Sequence, residues 1–248
     1  MTRVIIFGAT SAIAGATARI WAARGWSIYL VGRNAQKLQA LEDDLRARAS
    51  VDALVLSRVA DLDLIDTHAA LIEDAAIRLG GLDIALIAHG TLPDQTRCEN
   101  DVGAMMAQML TNGLSAMSLA GQLASRFEAQ RQGCIAVITS VAGNRGRQSN
   151  YAYGAAKGML IVFLEGLRNR MTPSAVGVVD IRPGFVDTPM TAAIPKSGPL
   201  WAGAERVAVD IVHGVDRHRG VIYTPWFWRY IMMIIRSIPD RIFNRLKL

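Results

Sequence analysis

Short apolar runs rich in Val, Ile and Leu recur along the chain, separated by longer stretches in which apolar residues return at helical spacing. A strand buried on both faces reads as a continuous apolar run, and a crossover helix buries one stripe. The alternation therefore specifies a parallel sheet covered by helices on both sides. Seven strands are expected, centred on Val4 to Phe7, Ser27 to Val31, Asp52 to Leu56, Asp83 to Ala88, Cys134 to Thr139, Val176 to Ile181 and Val221 to Thr224. Helices are expected over Ala12 to Arg24, Ala35 to Arg48, Ile65 to Leu79, Ala104 to Gln130, Tyr153 to Met171 and Ala204 to Arg217. No Pro/Gly/Ser-rich linker or block of charge interrupts them, so residues 1–225 read as one α/β domain. Phe185 to Trp201 holds Pro189, Pro195, Gly198 and Pro199, which exclude a long helix, and residues 185–203 read as a mobile flap.

Composition removes several classes. At 248 residues, with 51% hydrophobic and 19% charged residues, the chain is neither a disulfide-stapled mini-protein nor a disordered one. Cys98 and Cys134 form no CxxC and no ligand spacing with the four histidines, so no metal site is expected and a reducing, cytoplasmic compartment is. Val4 to Phe7, closed at once by Gly8, is too short for a secretory segment.

The first strand runs into Gly8-Ala9-Thr10-Ser11-Ala12-Ile13-Ala14-Gly15 and then a helix, where a doubly wound Rossmann-like fold presents backbone N–H groups to a pyrophosphate. Only Gly8 stands cleanly; Ala12 and Ala14 occupy the later glycine positions of the usual fingerprint. The second strand ends Val31-Gly32-Arg33-Asn34, with no acidic residue to accept from an adenosine ribose. Arg33 can instead pair with a 2′-phosphate, so NADP(H) is expected over NAD(H). Asp61-Leu62, after the third strand, suits contact with adenine, the carboxylate accepting from its exocyclic amine.

Tyr153-Gly154-Ala155-Ala156-Lys157 puts a phenol and an ammonium four residues apart on one helix face, close enough for the cation to stabilise a phenolate. Tyr151 cannot substitute, because the residue four further on is Ala155. Ser140 lies thirteen residues before Tyr153 at the end of the fifth strand, and Asn112 sits in the preceding helical region. His89 reads as a turn residue near the cofactor ribose rather than an acid or base, since the Tyr/Lys pair covers proton transfer.

This ordered set resembles the short-chain dehydrogenase/reductase superfamily, whose pattern is a glycine-rich first turn, an Asn, a Ser, a YxxxK and a PG segment after the sixth strand. The resemblance spans Arg3 to about Thr224. It implies that Tyr153 is the general acid, that Lys157 lowers its pKa and binds the nicotinamide ribose, that Ser140 hydrogen-bonds the substrate carbonyl, and that Asn112 anchors a water in a proton relay. Pro183-Gly184 and Thr188 match the segment holding the carboxamide, with Val186 contributing backbone. Ile87-Ala88-His89-Gly90 stands where the family has NNAG.

Beyond Pro225 the chain continues with Trp226, Phe227, Trp228 and Tyr230, then Ile231-Met232-Met233-Ile234-Ile235. Arg229, Arg236, Arg241, Arg245 and Lys247 against the single Asp240 give this tail four of the six net positive charges of the chain. Six apolar positions between Arg229 and Arg236 are too few to span a bilayer. At 100° per residue Arg229, Arg236, Asp240 and Lys247 share a stripe, and Pro239 divides the segment into two helices. Residues 226–248 therefore read as an amphipathic basic extension that suits either the headgroup region of an anionic membrane or packing on the body or a second subunit. Basic residues set among apolar ones, without an aromatic-interleaved polar groove, argue against nucleic acid.

The tail, the glycine-poor turn, the AHG in place of NNAG and Tyr151-Ala152-Tyr153-Gly154 also look similar to decaprenylphosphoryl 2-keto-pentose reductases. That narrower resemblance implies a ketone reduced on a polyprenyl-phosphate sugar at the inner face of the cytoplasmic membrane, following a partner oxidase, while the superfamily resemblance implies a homo-oligomer. The alternatives are a soluble reductase of acyl or small carbonyl compounds and a non-catalytic NADP(H)-sensing scaffold.

Overall fold

A computed structural model describes residues 1–196 and 198–246. Ser197, within the expected flap, and Lys247, on the expected basic stripe, lie outside the described residues. Val4, Ile5, Ile6 and Phe7 are all fully buried, as an apolar run with helices on both faces requires. The elements follow as β1 (Arg3–Phe7), α1 (Ala12–Ala23), β2 (Ser27–Gly32), α2 (Ala35–Arg48), β3 (Val55–Val59), α3 (His68–Leu79), β4 (Ile84–Ile87), α4 (Gln95–Asn100), α5 (Val102–Met109), α6 (Ser115–Gln130), β5 (Cys134–Ile138), α7 (Tyr151–Met171), β6 (Gly177–Pro183), β7 (Phe185–Asp187), β8 (Trp201–Gly203), α8 (Ala204–Asp216), β9 (Val221–Thr224), α9 (Trp228–Ser237) and α10 (Asp240–Phe243).

Seven strands form one sheet in the order β3-β2-β1-β4-β5-β6-β9, every neighbour parallel. The register is in step across the centre, with Val4 opposite Ile28 on one side and Ile84 on the other. Strand order reverses between β1 and β4, so the loops leaving their carboxyl ends diverge and open a crevice. One core packs Trp21 of α1, Leu38 and Leu45 of α2 and Ile211 of α8 on one face of the sheet. The other packs Leu71 of α3, Leu123 and Phe127 of α6 and Leu164 of α7 on the opposite face. This is the single, doubly wound α/β domain that the alternation specified.

Three elements differ from the sequence expectation. The third strand runs Val55–Val59 rather than Asp52 to Leu56, because residues 50–53 turn, the Ala53 N–H donating to the Ser50 carbonyl at 3.0 Å. It is an edge strand whose end carries exposed Arg58 and Val59, so a search for apolar runs places it too early. The long helix expected over Ala104 to Gln130 forms, but α5 passes into α6 through a π-helical turn at Leu110–Leu114. Gly113, in that turn, packs closely on α7: a Cβ there would overlap the Met159 methyl and press on the Ala156 carbonyl. The expected flap is partly structured, since β7 and β8 pair in parallel at Phe185↔Trp201.

The tail forms two helices broken at Pro239, as read from the sequence. Trp228 and Met232 are buried with Val141, and Phe227, Ile231 and Ile235 pack around them. Trp226, Tyr230, Met233, Ile234 and Ile242 point outward and are exposed. Arg145 latches the tail: Nη1 donates to the carbonyls of Ile235 at 2.6 Å and Ile238 at 2.7 Å, Nη2 donates to Asp240 at 2.8 Å, and the guanidinium lies 3.7 Å from the Phe243 ring centroid. Asp240, which stays exposed, is the latch's carboxylate.

Candidate active site

The crevice at the carboxyl edge of the sheet is a cavity of about 430 Å³. At one end β1 hands over to α1 through Gly8, whose φ of +75° puts it in the left-handed region. A Cβ on Gly8 would lie 2.5 Å from the backbone N of His89 and 2.6 Å from its Cα, so the two loops touch where only glycine fits. Ser11 precedes α1 in extended conformation and its side chain makes no capping bond. The first-turn N–H groups of a helix have no intrahelical acceptor, so they are left for an anion, and no acidic residue in that turn opposes one. Thr10, Ser11, Ala12 and Ile13 line the cavity here. Ala14 does not: it is fully buried in the core beneath the turn, so its expected contact with a cofactor is corrected to a packing role.

Arg33 and Asn34 line the adjoining wall, and Asn34 caps α2 by accepting from the Lys37 N–H at 2.9 Å. That cap turns the first turn of α2, and Lys37 with it, toward the cavity. Arg33 and Lys37 are both exposed. Asp61 is exposed on the same side, its Oδ1 accepting from the Asp63 N–H at 3.0 Å, and Leu62 is buried beside it. The Leu62 carbonyl is held from behind by the Ser115 hydroxyl at 2.5 Å and by His68 Nε2 at 2.9 Å. Ser115 also bonds His89 Nε2 at 2.9 Å. Burial, with the positive charges of Lys157, His68 and Arg33, pushes His89 down to about 3. The neutral ring braces the turn through its bond to Ser115.

At the other end Ser140, Tyr153, Lys157, Pro183, Gly184, Val186 and Thr188 converge on the cavity, as does Gly90 from the turn after β4. Ser140 leaves β5 in extended conformation, and its Oγ accepts from the Ala142 N–H at 3.1 Å. Lys157 is 3% exposed; its Nζ donates to the Ile138 carbonyl at 3.0 Å and lies 5.9 Å from the Tyr153 ring centroid. Burial pulls the ammonium down to about 8, with the Asp180 carboxylate opposing. Burial pushes the Tyr153 phenol up to about 12, with its bond to Ser140 pulling the other way. The Lys157 ammonium is turned toward the Ile138 carbonyl, and desolvation is the largest influence on the Tyr153 phenol.

Asn112 is fully buried behind the cavity rather than in its wall; Oδ1 accepts from the Thr91 N–H and Nδ2 donates to Gln108, each at 2.9 Å. The π-helical turn carries it to Gly90, whose hypothetical Cβ would sit 2.7 Å from Asn112 Oδ1 and 3.6 Å from Lys157 Nζ. Gly184 is glycine for a similar reason, because the Trp228 indole occupies the space of a Cβ.

A backbone anion cradle at one end of the crevice and a Ser, Tyr and Lys at the other would place a dinucleotide against a reacting carbonyl. The model of the short chain dehydrogenase family matches residues 2–198. The chain belongs to the short-chain dehydrogenase/reductase family. It is an oxidoreductase working between CH–OH and C=O groups, in a family that uses nicotinamide dinucleotides. It is 33% identical over 243 residues to an uncharacterized oxidoreductase of Mycobacterium tuberculosis, covering 98% of this chain and 96% of that one. It is 31% identical over 211 residues to a sulfoacetaldehyde reductase of Chromohalobacter salexigens, covering 85% and 79%. Among solved structures, a short-chain dehydrogenase from Sphingobium yanoikuyae in complex with NADPH superimposes with a TM-score of 0.82 at 24% identity, covering 97% of each chain.

Three groups of the short-chain dehydrogenase site escaped the sequence reading. Lys37 was signalled only by its place one turn after a capping Asn. Ser115 and His68, which hold Leu62, carried no signal, being remote in sequence. Arg147 and Asn150 lie in the loop between Ser140 and Tyr153 and line the cavity.

Proposed function

We propose that the chain is an NADP(H)-dependent reductase that converts a ketone on a lipid-linked, polyprenyl-phosphate sugar to a secondary alcohol. The observation that carries the cofactor choice is the pairing of Arg33 with Lys37 at the adenosine end, two cations on the wall where an NAD-preferring site would carry a carboxylate. The fit of the cradle supports the dinucleotide: the free first turn of α1 takes its pyrophosphate, Asp61 and Leu62 its adenine, and Gly90, Pro183, Gly184, Val186 and Thr188 its nicotinamide half. When bound, the cofactor supplies the hydride. Ser140 holds the substrate carbonyl, and Tyr153 delivers the proton to its oxygen. Lys157 binds the nicotinamide ribose, and Asn112 with the Ile138 carbonyl keeps the proton path behind it in order.

The lipid-linked substrate is supported by the exposed half of the tail. Trp226, Tyr230, Met233, Ile234 and Ile242 stand out from the body among Arg229, Arg236 and Arg241, a composition suited to an anionic membrane surface. Trp228, on the buried side of the same helix, stacks edge-on against Phe185 of the cavity wall with centroids 5.4 Å apart, so the apolar surface runs from tail to substrate mouth. None of the described helices is long and apolar enough to cross a membrane, so contact would be peripheral. A second reading, reduction of a small or acyl carbonyl with the outer face of the tail covered by another copy, is favoured by likeness to the sulfoacetaldehyde reductase and to a 3-oxoacyl-[acyl-carrier-protein] reductase of Bos taurus.

Titrating NADPH and NADH separately, and following energy transfer from tryptophan to the nicotinamide, tests the cofactor half. NADPH is expected to bind at least about tenfold tighter, and Arg33→Ala with Lys37→Ala to remove that margin. Equal affinity in the unmodified chain overturns it. Liposome co-sedimentation with anionic vesicles separates the two substrate readings.

A further inference from the structure

The loop that joins Ser140 to Tyr153 carries three buried polar atoms with no protein partner among the described residues, Asn144 Oδ1, Arg147 Nε and Asn150 Oδ1. Of the three residues, Arg147 and Asn150 line the cavity. Arg147 Nη2 reaches only the Met232 thioether, 3.3 Å away, which is a weak acceptor. Among the described residues no carboxylate lies within 4.0 Å of this guanidinium. Two other arginines of this region are treated differently: Arg182 is paired with Asp180 and Glu165, and Arg145 with Asp240. Burial without a counter-charge holds Arg147 below the usual guanidinium range. A half-buried guanidinium on a cavity wall, with an orphaned Nε and no carboxylate beside it, is a ready partner for an anion that enters there.

Position identifies whose anion it is. The pyrophosphate and adenosine groups belong at the end built from α1, Arg33 and Lys37, whereas Arg147 and Asn150 hang between the two residues that would meet the carbonyl. The flap contributes Phe185, Met190 and Ile194 to the lining of the same cavity, and none of its charged residues. We propose that Arg147 recognises an anionic oxygen group, phosphoryl or carboxylate, carried by the carbonyl substrate itself, while Asn150 Oδ1 accepts from a substrate hydroxyl. The proposal rests on the reductase reading and narrows it: the substrate is a hydroxylated ketone with an anionic end. A guanidinium fork suits that role, giving two parallel charge-assisted bonds in a partly dry site. Met232 of α9 backs the guanidinium, so the tail helps to aim it.

The test uses the full chain saturated with NADPH and two probes that differ by one group, dihydroxyacetone phosphate and dihydroxyacetone. Arg147→Met is expected to raise KM for the phosphorylated ketone about 30-fold or more and to change KM for the neutral one less than about threefold, with the loss carried by KM rather than kcat. Arg147→Lys should recover part of it, which a merely structural arginine would not allow. An equal effect on both probes, or none on the phosphorylated one, overturns the proposal. A binding arm separates this proposal from the reductase reading. Inorganic phosphate and acetate are titrated at constant ionic strength and followed by thermal shift in the unmodified chain, Arg147→Met and Arg33→Ala. Phosphate or acetate stabilisation lost in Arg147→Met and kept in Arg33→Ala supports the anion site even if neither ketone is reduced, and the stronger of the two ions names the group. Stabilisation that is absent, or lost only in Arg33→Ala, refutes it.

Discussion

Replacing Lys157 by methionine should abolish reduction and make the protein more stable. The ammonium is 3% exposed, and burial lowers its pKa from 10.5 to about 8. A lysine with its folded-state pKa below the unfolded value is protonated first in the unfolded chain. Stability is therefore lost as pH falls from about 10.5 to about 8, and the whole loss stands at pH 7. That difference corresponds to about 3 kcal/mol. Methionine fills similar space without a charge, but leaves the Ile138 carbonyl without the donor now 3.0 Å away, which costs about 1 kcal/mol. The net gain is about 2 kcal/mol, or about 4 to 8 °C in Tm for a chain of this size. Differential scanning calorimetry of the cofactor-free protein at pH 7 and pH 10 reads it directly: Lys157→Met should melt higher at pH 7, and the margin should shrink at pH 10. A variant that melts at or below the parent at pH 7, or a margin that ignores pH, would falsify the claim that the site holds its cation at the expense of stability.

Further outcomes follow from single contacts. Gly8→Ala should destabilise by about 2 to 4 kcal/mol, since it adds left-handed strain to a clash with the His89 backbone, while Gly121→Ala, on α6 with nothing within 4 Å of the new Cβ, should be neutral or gain up to about 1 kcal/mol. Urea titrations of the pair should show opposite signs, and equal midpoints would refute the close approach. Arg145→Ala should free the tail at a cost of about 1 to 3 kcal/mol and speed tryptic cleavage after Arg229 and Arg236; unchanged cleavage would count against the latch. His89, held at about 3 against an ordinary 6.5, contributes stability that is complete above pH 6.5 and lost as pH falls toward 3. His89→Gln should flatten urea stability between pH 6.5 and 4, and an acid limb as steep as the parent's would refute that assignment.

The sheet and most helices were legible because buried parallel strands and crossover helices leave different periods in the sequence, and seven apolar runs mark all seven strands of the main sheet. The third strand was placed three residues early because an edge strand buries only part of itself. The π-helical turn before α6 left no local signal because it answers to the packing of Gly113 on α7, a contact between residues more than forty apart. Local spacing foretold that Ser140, Tyr153 and Lys157 would meet, since one strand end and one helix face carry all three. It could not foretell that Lys157 turns to the Ile138 carbonyl, or that desolvation outweighs the Ser140 bond at the Tyr153 phenol. Ala14 failed as a cofactor contact for a related reason: the fingerprint fixes a residue's size, whereas the helix phase fixes whether it faces ligand or core.

The fourteen residues from Ser140 to Tyr153 tie these findings together. The segment begins and ends at a hydroxyl that lines the cavity. Between them Arg145 clamps the carbonyls at the end of α9, and Arg147 rests on Met232 of the same helix. Trp228, also on α9, fills the space over Gly184 that a side chain would take and touches Phe185 at the cavity wall. Any shift of α9 must therefore move groups on two sides of the substrate end. The extension after β9 thus backs the substrate end from outside the cavity, while its other side, with Trp226, Tyr230, Met233, Ile234 and Ile242, stays exposed.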